Sequence, residues 1–236
     1  MIPKTIYQVF NTLDLPDILA KNVEKIKALN PGWTHRLFTN SESRDFIADL
    51  YNGQYVDIYD RINPLYGAVK SDWFRHLVIY KMGGVYLDIK GTFNKPLDSF
   101  ILPDDECIMS HWTYGLKLDE HCSHPELRHM PDGEYIQWFM VYSQFHPYLE
   151  AMIQRMMSNF REYTPEKYGV GKPGALRLAG PIPYTLAIEP ILNQHKHRFI
   201  KYWEEGIQYS IIDNWDRNAV TVIPNHYARQ TSPIML

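Results

Sequence analysis

Lys4-Thr5-Ile6-Tyr7-Gln8-Val9-Phe10 is a run of β-branched and aromatic side chains, and the alternation it begins decides the fold. Behind it, Ile18, Leu19, Val23, Ile26 and Leu29 recur at helical spacing, until Asn30-Pro31-Gly32 stops the helix. Thr34 to Thr39 reads as a second strand. Asn40 or Ser41 then caps a helix carrying Phe46, Ile47 and Leu50. Strand and helix in this βαβα order predict a single α/β domain. Its sheet is expected to be mainly parallel and flanked by helices, with ligands collecting beyond the carboxyl ends of the strands.

Further on, Asn63-Pro64 reads as a turn and Tyr66 to Met82 as a helix. Gly83-Gly84 closes that helix, because glycine adopts the left-handed backbone that other residues resist. A strand is expected from Val85 to Asp88, a turn at Lys95 to Asp98 and another strand from Cys107 to Trp112. Leu116 to Gly133 reads as a long polar, histidine-rich loop. A helical pattern from Glu134, broken at His146-Pro147, resumes to about Phe160. Tyr163 to Pro183 is rich in Gly and Pro, a helix is expected from Tyr184 to Asn193, and short strands near Tyr209 and Val220 finish the chain.

The 236 residues are 45% hydrophobic and 22% charged, enough to build a core without disulfides. A formal charge of −3, with no block of Lys or Arg, argues against nucleic acid as a partner. Apolar runs such as Leu77 to Tyr80 fall far short of the roughly 20 residues that span a bilayer. No integral membrane segment is expected, and a cytoplasmic setting is the simpler expectation. Cys107 and Cys122 read as free thiols of a reducing compartment.

Asp72 and Arg75 stand three apart on the Tyr66 to Met82 helix, which sets a carboxylate and a guanidinium on one face. The plain reading is a surface ion pair of little energetic worth. The same segment, however, runs through Gly83-Gly84 into a strand ending on Asp88, so three charges converge at one sheet edge. A carboxylate there can grip a sugar hydroxyl or ribose, or hold a divalent cation, and Arg75 offers planar donors for hydroxyls or phosphate. These groups suit a reaction that breaks an anomeric carbon to phosphate bond.

Ser71-Asp72-Trp73-Phe74-Arg75, continuing to Gly83-Gly84-Val85-Tyr86-Leu87-Asp88, resembles the DXD-containing sugar transferases of the family 32 type. Ile2-Pro3-Lys4-Thr5-Ile6-Tyr7-Gln8 is similar to that family's opening strand, and Asn30-Pro31-Gly32-Trp33 to the turn after it. His146-Pro147 and Gly180-Pro181 with Thr185 are weaker landmarks. Glucosylating bacterial toxins share the central pattern, so the resemblance speaks more to the donor than to any acceptor.

The resemblance implies a GT-A-like fold over residues 1–236, with a donor-binding part in 1–100 and an acceptor-side part with closing loops in 101–236. It implies a nucleoside-diphosphate sugar donor, UDP- or GDP-linked, and transfer of a hexose with retention to a glycan or other hydroxyl acceptor. Asp72, Arg75 and Asp88 would form the catalytic heart. Tyr7, Gln8, Phe10, Ser71, Gly84, Tyr86 and Lys90 would complete the donor site, the first three framing the base.

One departure matters: where the family has Asp, any residue, Asp, this chain reads Asp88-Ile89-Lys90. The missing carboxylate is the one expected to ligate Mn²⁺ or Mg²⁺, and an ammonium repels such an ion. Lys90 itself can pair with the diphosphate, Asp88 and His226 can hold a metal, or the chain can be a silent binding module. A sugar-nucleotide hydrolase would use the same pocket with water as acceptor.

Weaker signals follow. His111, His121, Cys122, His124 and His129 include zinc-ligand types without a regular finger spacing, and an acceptor-facing loop is the better reading. Gly169-Val170-Gly171-Lys172-Pro173-Gly174 departs from a phosphate loop at Pro173 and reads as a flexible segment able to close over the donor. Asp104-Asp105-Glu106 reads as a solvated turn.

Overall fold

The computed structural model describes residues 1–112, 124–212 and 227–236. Strand β1 (Thr5–Val9), helix α1 (Asp17–Leu29), β2 (Thr34–Phe38) and α2 (Asn40–Tyr51) follow in the expected order. A short helix α3 (Val56–Arg61) leads to α4 (Gly67–Met82) and β3 (Gly84–Leu87). Then come β4 (Thr92–Phe93), β5 (Cys107–Met109), β6 (Phe139–Tyr142), α5 (Pro147–Arg161), α6 (Pro165–Tyr168), α7 (Gly171–Leu178), α8 (Pro181–Ile188), β7 (Arg198–Phe199) and β8 (Ile207–Gln208).

Among the described residues, six strands form one sheet in the order β2-β1-β3-β6-β5-β7. β1 runs parallel to both β2 and β3, and β7 parallel to β5, while β6 lies antiparallel between β3 and β5. A small ribbon of β4 and β8 stands apart. The two-residue period of each strand sorts side chains to opposite faces. Tyr7, Val9, Tyr86, Met140 and Tyr142 meet α2, α4, α5 and α8 on one side. Ile6, Val85, Leu87, Phe139 and Val141 meet Ile26 of α1 with Trp33, Phe93 and Phe100 on the other.

Several expectations are corrected. The stretch after Glu134 is not a helix: Phe139–Tyr142 is a wholly buried run, and a short apolar run flanked by polar residues cannot be told from a buried strand by periodicity alone. The Gly/Pro-rich Tyr163 to Pro183 stretch is largely helical, since Pro165 and Pro181 occupy first-turn positions where a missing N–H costs nothing. Helix α2 is capped by Thr39, through a reciprocal box with Glu42, and not by Asn40 or Ser41. On α1, Asn22 is buried and Ile18 exposed. Asp105 is not solvated: it is 5% exposed, bonds the Leu102 N–H and pairs with Arg198. The strand expected near Val220 lies outside the described residues, as does Cys122; Cys107 is a buried free thiol.

Helix α4 holds the architecture together. Val69, Trp73, Phe74, Leu77, Val78 and Ile79 are completely buried, so its middle turns are packed on most sides. Its exit depends on Gly83 and Gly84, at φ +63° and +104°. A Cβ on Gly84 would stand 2.6 Å from the Thr5 carbonyl oxygen, which is the contact that lets β3 lie against β1. Gly84→Ala is therefore expected to destabilise the fold by about 2–3 kcal/mol, roughly 5–10 °C in melting temperature. Gly32→Ala, at a site with nothing within 4 Å of its added Cβ, is expected to leave the melt nearly unchanged.

Candidate active site

The connection from α4 to β3 sets its two charged ends level. From Arg75 to Gly84 the chain climbs nine residues at about 1.5 Å each, and from Gly84 to Asp88 it returns over four at about 3.3 Å, so both legs cover roughly 13 Å. Arg75 Nη2 accordingly lies 2.9 Å from Asp72 Oδ1 and 3.0 Å from Asp88 Oδ1. Lys90 Nζ completes the series at 2.7 Å from Asp88 Oδ2. The result is a chain of alternating sign, Asp72, Arg75, Asp88, Lys90.

The surface-pair reading of Asp72 and Arg75 does not hold, because their side chains are only 9% and 5% exposed. Arg75 Nη1 also donates to the Gln137 carbonyl at 2.8 Å, and its guanidinium lies 4.5 Å from the centre of the Tyr86 ring. Lys90 stands 4.3 Å from the centre of the Tyr209 ring. Below the charges, the turn after β3 is braced from two sides. Asn22 Nδ2 donates to the Gly91 carbonyl at 2.7 Å, and Gln8 Nε2 reaches the Asp88 carbonyl at 3.4 Å.

These groups form part of the wall of a cleft of about 970 Å³ at the carboxyl ends of β1 and β3. Phe10, Ser71, Asp72, Arg75, Tyr86, Asp88 and Lys90 line it. Tyr7, Gln8 and Gly84, expected in the donor site, are not among the residues that line it. Tyr7 points into the helix-side core, Gly84 is packed under β1, and Gln8 is buried, bonded through Oε1 to His35 Nε2 at 2.8 Å. Gln8 thus supports the Asp88 turn from beneath.

Sequence reasoning misses Gln137, because its segment reads as the start of a helix. Gln137 Nε2 donates to Asp72 Oδ1 at 3.2 Å, while its Oε1 and the Trp138 indole N–H are buried without a partner among the described residues. Both residues line the cleft, and a buried polar atom left unpaired is costly unless a ligand or water meets it. His124 Nε2 pairs with Glu134 at 2.8 Å, and both residues line the cleft together with Lys172 and Arg177. Lys172 does not lie on a flexible loop but in the first turn of α7.

The landmarks His146 and Thr185 have structural partners. His146 accepts the Tyr148 N–H at the start of α5, and the Thr185 hydroxyl accepts from Tyr135 N–H and donates to the Pro181 carbonyl. His111 stacks on Phe199 and His129 pairs with Glu189, so the described histidines scatter. Among the described residues no group of three or more His, Cys, Asp or Glu is arranged to hold a metal. His226 and His121 lie outside the described residues.

Burial and charge act oppositely on the two acids. Burial pushes the Asp72 carboxyl up to about 7, Arg75 works against that, and Asp88 adds to it. Burial also disfavours a charged Asp88, but Arg75 and Lys90 outweigh it and hold the carboxyl below its ordinary value. For Lys90, burial favours the neutral amine, yet Asp88 prevails and raises its pKa. His76, behind Asp72 on α4, is lowered to about 3 by burial and stays neutral.

The chain is similar in sequence and fold to known glycosyltransferases. Residues 16–108 match the family described as the glycosyltransferase sugar-binding region containing the DXD motif. Inositol phosphoceramide mannosyltransferase 2 of Schizosaccharomyces pombe is 27% identical over 165 residues, which are 69% of this chain and 41% of the relative. The chain thus spans less than half the length of that relative. Among solved structures, the PaToxG glycosyltransferase superposes with a TM-score of 0.54 at 16% identity, covering 97% of this chain and 87% of its own. The UDP-bound glycosyltransferase domain of the YGT toxin gives 0.52 at 8% identity, covering 89% and 81%. The fold is therefore the GT-A-like α/β fold of glycosyltransferase domains. Among the described residues no helix is long and apolar enough to cross a membrane.

The raised Asp72 pKa makes a prediction about stability. A carboxyl that titrates near 7 when folded and about 4 when unfolded keeps its proton longer in the folded chain. Its contribution to stability is therefore greatest below about pH 4 and falls as pH rises towards 7. Asp72→Asn cannot ionise, so its melting temperature minus that of the wild type is expected to be more positive at pH 8 than at pH 5. A difference that is flat, or that moves the other way, would mean that the carboxyl is ionised throughout.

Proposed function

We propose that this chain is a hexosyltransferase that moves a sugar from a nucleoside diphosphate to a hydroxyl of a glycan or other small acceptor. The observation that carries the reading is the buried Asp72-Arg75-Asp88-Lys90 series in the wall of the cleft. Burying paired charges costs more than an apolar wall would, and such costs concentrate where charge develops during a reaction. The relatives' mannosyltransferase names and the neighbour solved with UDP support the same class.

In this reading Asp72 accepts a hydroxyl of the donor sugar, and Gln137 Oε1 and Trp138 Nε1, unpaired among the described residues, offer an acceptor and a donor in the same cleft. Arg75 fixes both acids and holds the local charge. Asp88 faces ribose or the diphosphate, and Phe10, at the end of β1, contacts the base. Residues 1–100 thus supply the charges of the donor site. Residues 101–236 supply the wall with His124, Glu134, Lys172 and Arg177, where the acceptor would lie.

Chemically, the bond between the anomeric carbon and the β-phosphate oxygen breaks, and its electron pair leaves with the diphosphate. The acceptor oxygen bonds the anomeric carbon, and its proton passes to the departing phosphate oxygen. Such same-face exchange gives retention. It suits a cleft whose acids Asp72, Asp88 and Glu134 are each engaged by a cation or histidine rather than poised as a lone general base.

Calorimetric titration with UDP-glucose, UDP-galactose and GDP-mannose tests the reading. One donor is expected to bind, and Asp72→Asn is expected to weaken it by about tenfold or more with an intact melt. Donor consumption would then depend on an added hydroxyl acceptor. Free sugar formed without acceptor would point to hydrolysis, binding without any turnover to a silent module, and absence of binding by all donors would overturn the proposal.

A further inference from the structure

The family matched by residues 16–108 is described by an Asp-X-Asp motif, yet the acid expected at the second position is Lys90. The described residues do not fit a divalent cation. Both oxygens of Asp88 are engaged by cations, Oδ1 by Arg75 at 3.0 Å and Oδ2 by Lys90 at 2.7 Å. Asp72 Oδ1 is shared by Arg75 and Gln137. A magnesium ion takes near-octahedral oxygen ligands at about 2.0–2.1 Å. Seated on Asp88, it would either press against the Lys90 ammonium or displace it, and the position that would offer the motif's second carboxylate is Lys90 itself.

Lys90 is itself a built feature rather than a stray surface charge. Its side chain is 9% exposed, its ammonium is fixed by Asp88 and the Tyr209 ring, and its carbonyl accepts the Ile211 N–H at 2.8 Å. It lines the same cleft as Asp72 and Asp88.

Resting on the transferase reading, we infer that Lys90 takes the place of the divalent cation: its ammonium receives the donor's diphosphate and balances the charge that grows there as the glycosidic bond breaks. The ammonium acts as a point charge, which is how lysine binds phosphate. It stays protonated in the cleft because Asp88 outweighs the effect of burial. The nucleoside diphosphate alone should therefore bind without metal.

The test is titration of UDP and GDP into the wild-type chain, in Mn²⁺ and in EDTA. One nucleotide is expected to bind with the same affinity in both. Lys90→Ala should lose about tenfold or more in EDTA, whereas Lys90→Arg should retain most of the binding. Lys90→Asp, which restores the Asp-X-Asp pattern, should bind only when Mn²⁺ is supplied. Wild-type binding that requires Mn²⁺, or Lys90→Ala binding as tightly as the wild type, would overturn the inference while leaving the transferase reading intact. Absence of binding by both nucleotides in either buffer would count against both.

Discussion

A buried guanidinium held between two carboxylates is the constraint on which the rest of this structure depends. Arg75 cannot give up its charge, and it sits in the middle turns of a helix packed on most sides. An unpaired cation there would be prohibitive, so Asp72 and Asp88 must both be within reach. One lies a turn away on α4, which any helix provides. The other must come from a strand, and that requires β3 to turn back along α4 at once. Gly83 and Gly84 make this reversal, and the close packing of Gly84 against β1 follows from it.

The same requirement explains the polar residues buried in otherwise apolar layers. Asn22 and Gln8 look out of place on an inward helix face and an inward strand position, but they hold the Asp88 to Gly91 turn from below. Gln137 reaches Arg75 through its carbonyl and Asp72 through its amide, which ties the antiparallel centre of the sheet to the parallel part. The site is thus assembled from α4, the end of β3 and the residue run entering β6. The first two are adjacent in sequence and the third is not.

That division accounts for what is legible in the sequence. The βαβα opening, the long helix, its glycine exit and the charges at either end are local patterns, and each appears with boundaries within a residue or two. What the one-dimensional pattern cannot supply is burial: Asp72 and Arg75 at helical spacing look the same on a solvated face as in a core. β6 escapes the reading because Phe139 to Tyr142 is buried on both faces and shows no alternation of polar and apolar residues, so Gln137 escapes with it. Resemblance sets Tyr7, Gln8 and Phe10 around the base, yet strand alternation puts Tyr7 and Gln8 on opposite faces. Of the three, only Phe10, beyond the strand end, reaches the cleft.

The charge balance of the site bears on how it can exist without a ligand. A pair of acids in an Asp-X-Asp arrangement places like charges close together in a partly buried wall, and their repulsion raises the cost of folding until a cation arrives. Here two acids alternate with two cations, so the acids do not face one another: Asp88, held ionised, lies between Arg75 and Lys90, and Asp72, whose carboxyl titrates near 7, is paired with Arg75. For the proposed donor that balance brings a different difficulty, since an anionic diphosphate gains little at long range from a cluster of such small net charge. In that reading the gain must come at contact, from the placement of individual donors such as the Lys90 ammonium. A site of this kind is organised before any ligand arrives, and selection by the proposed transferase would rest on geometry more than on attraction.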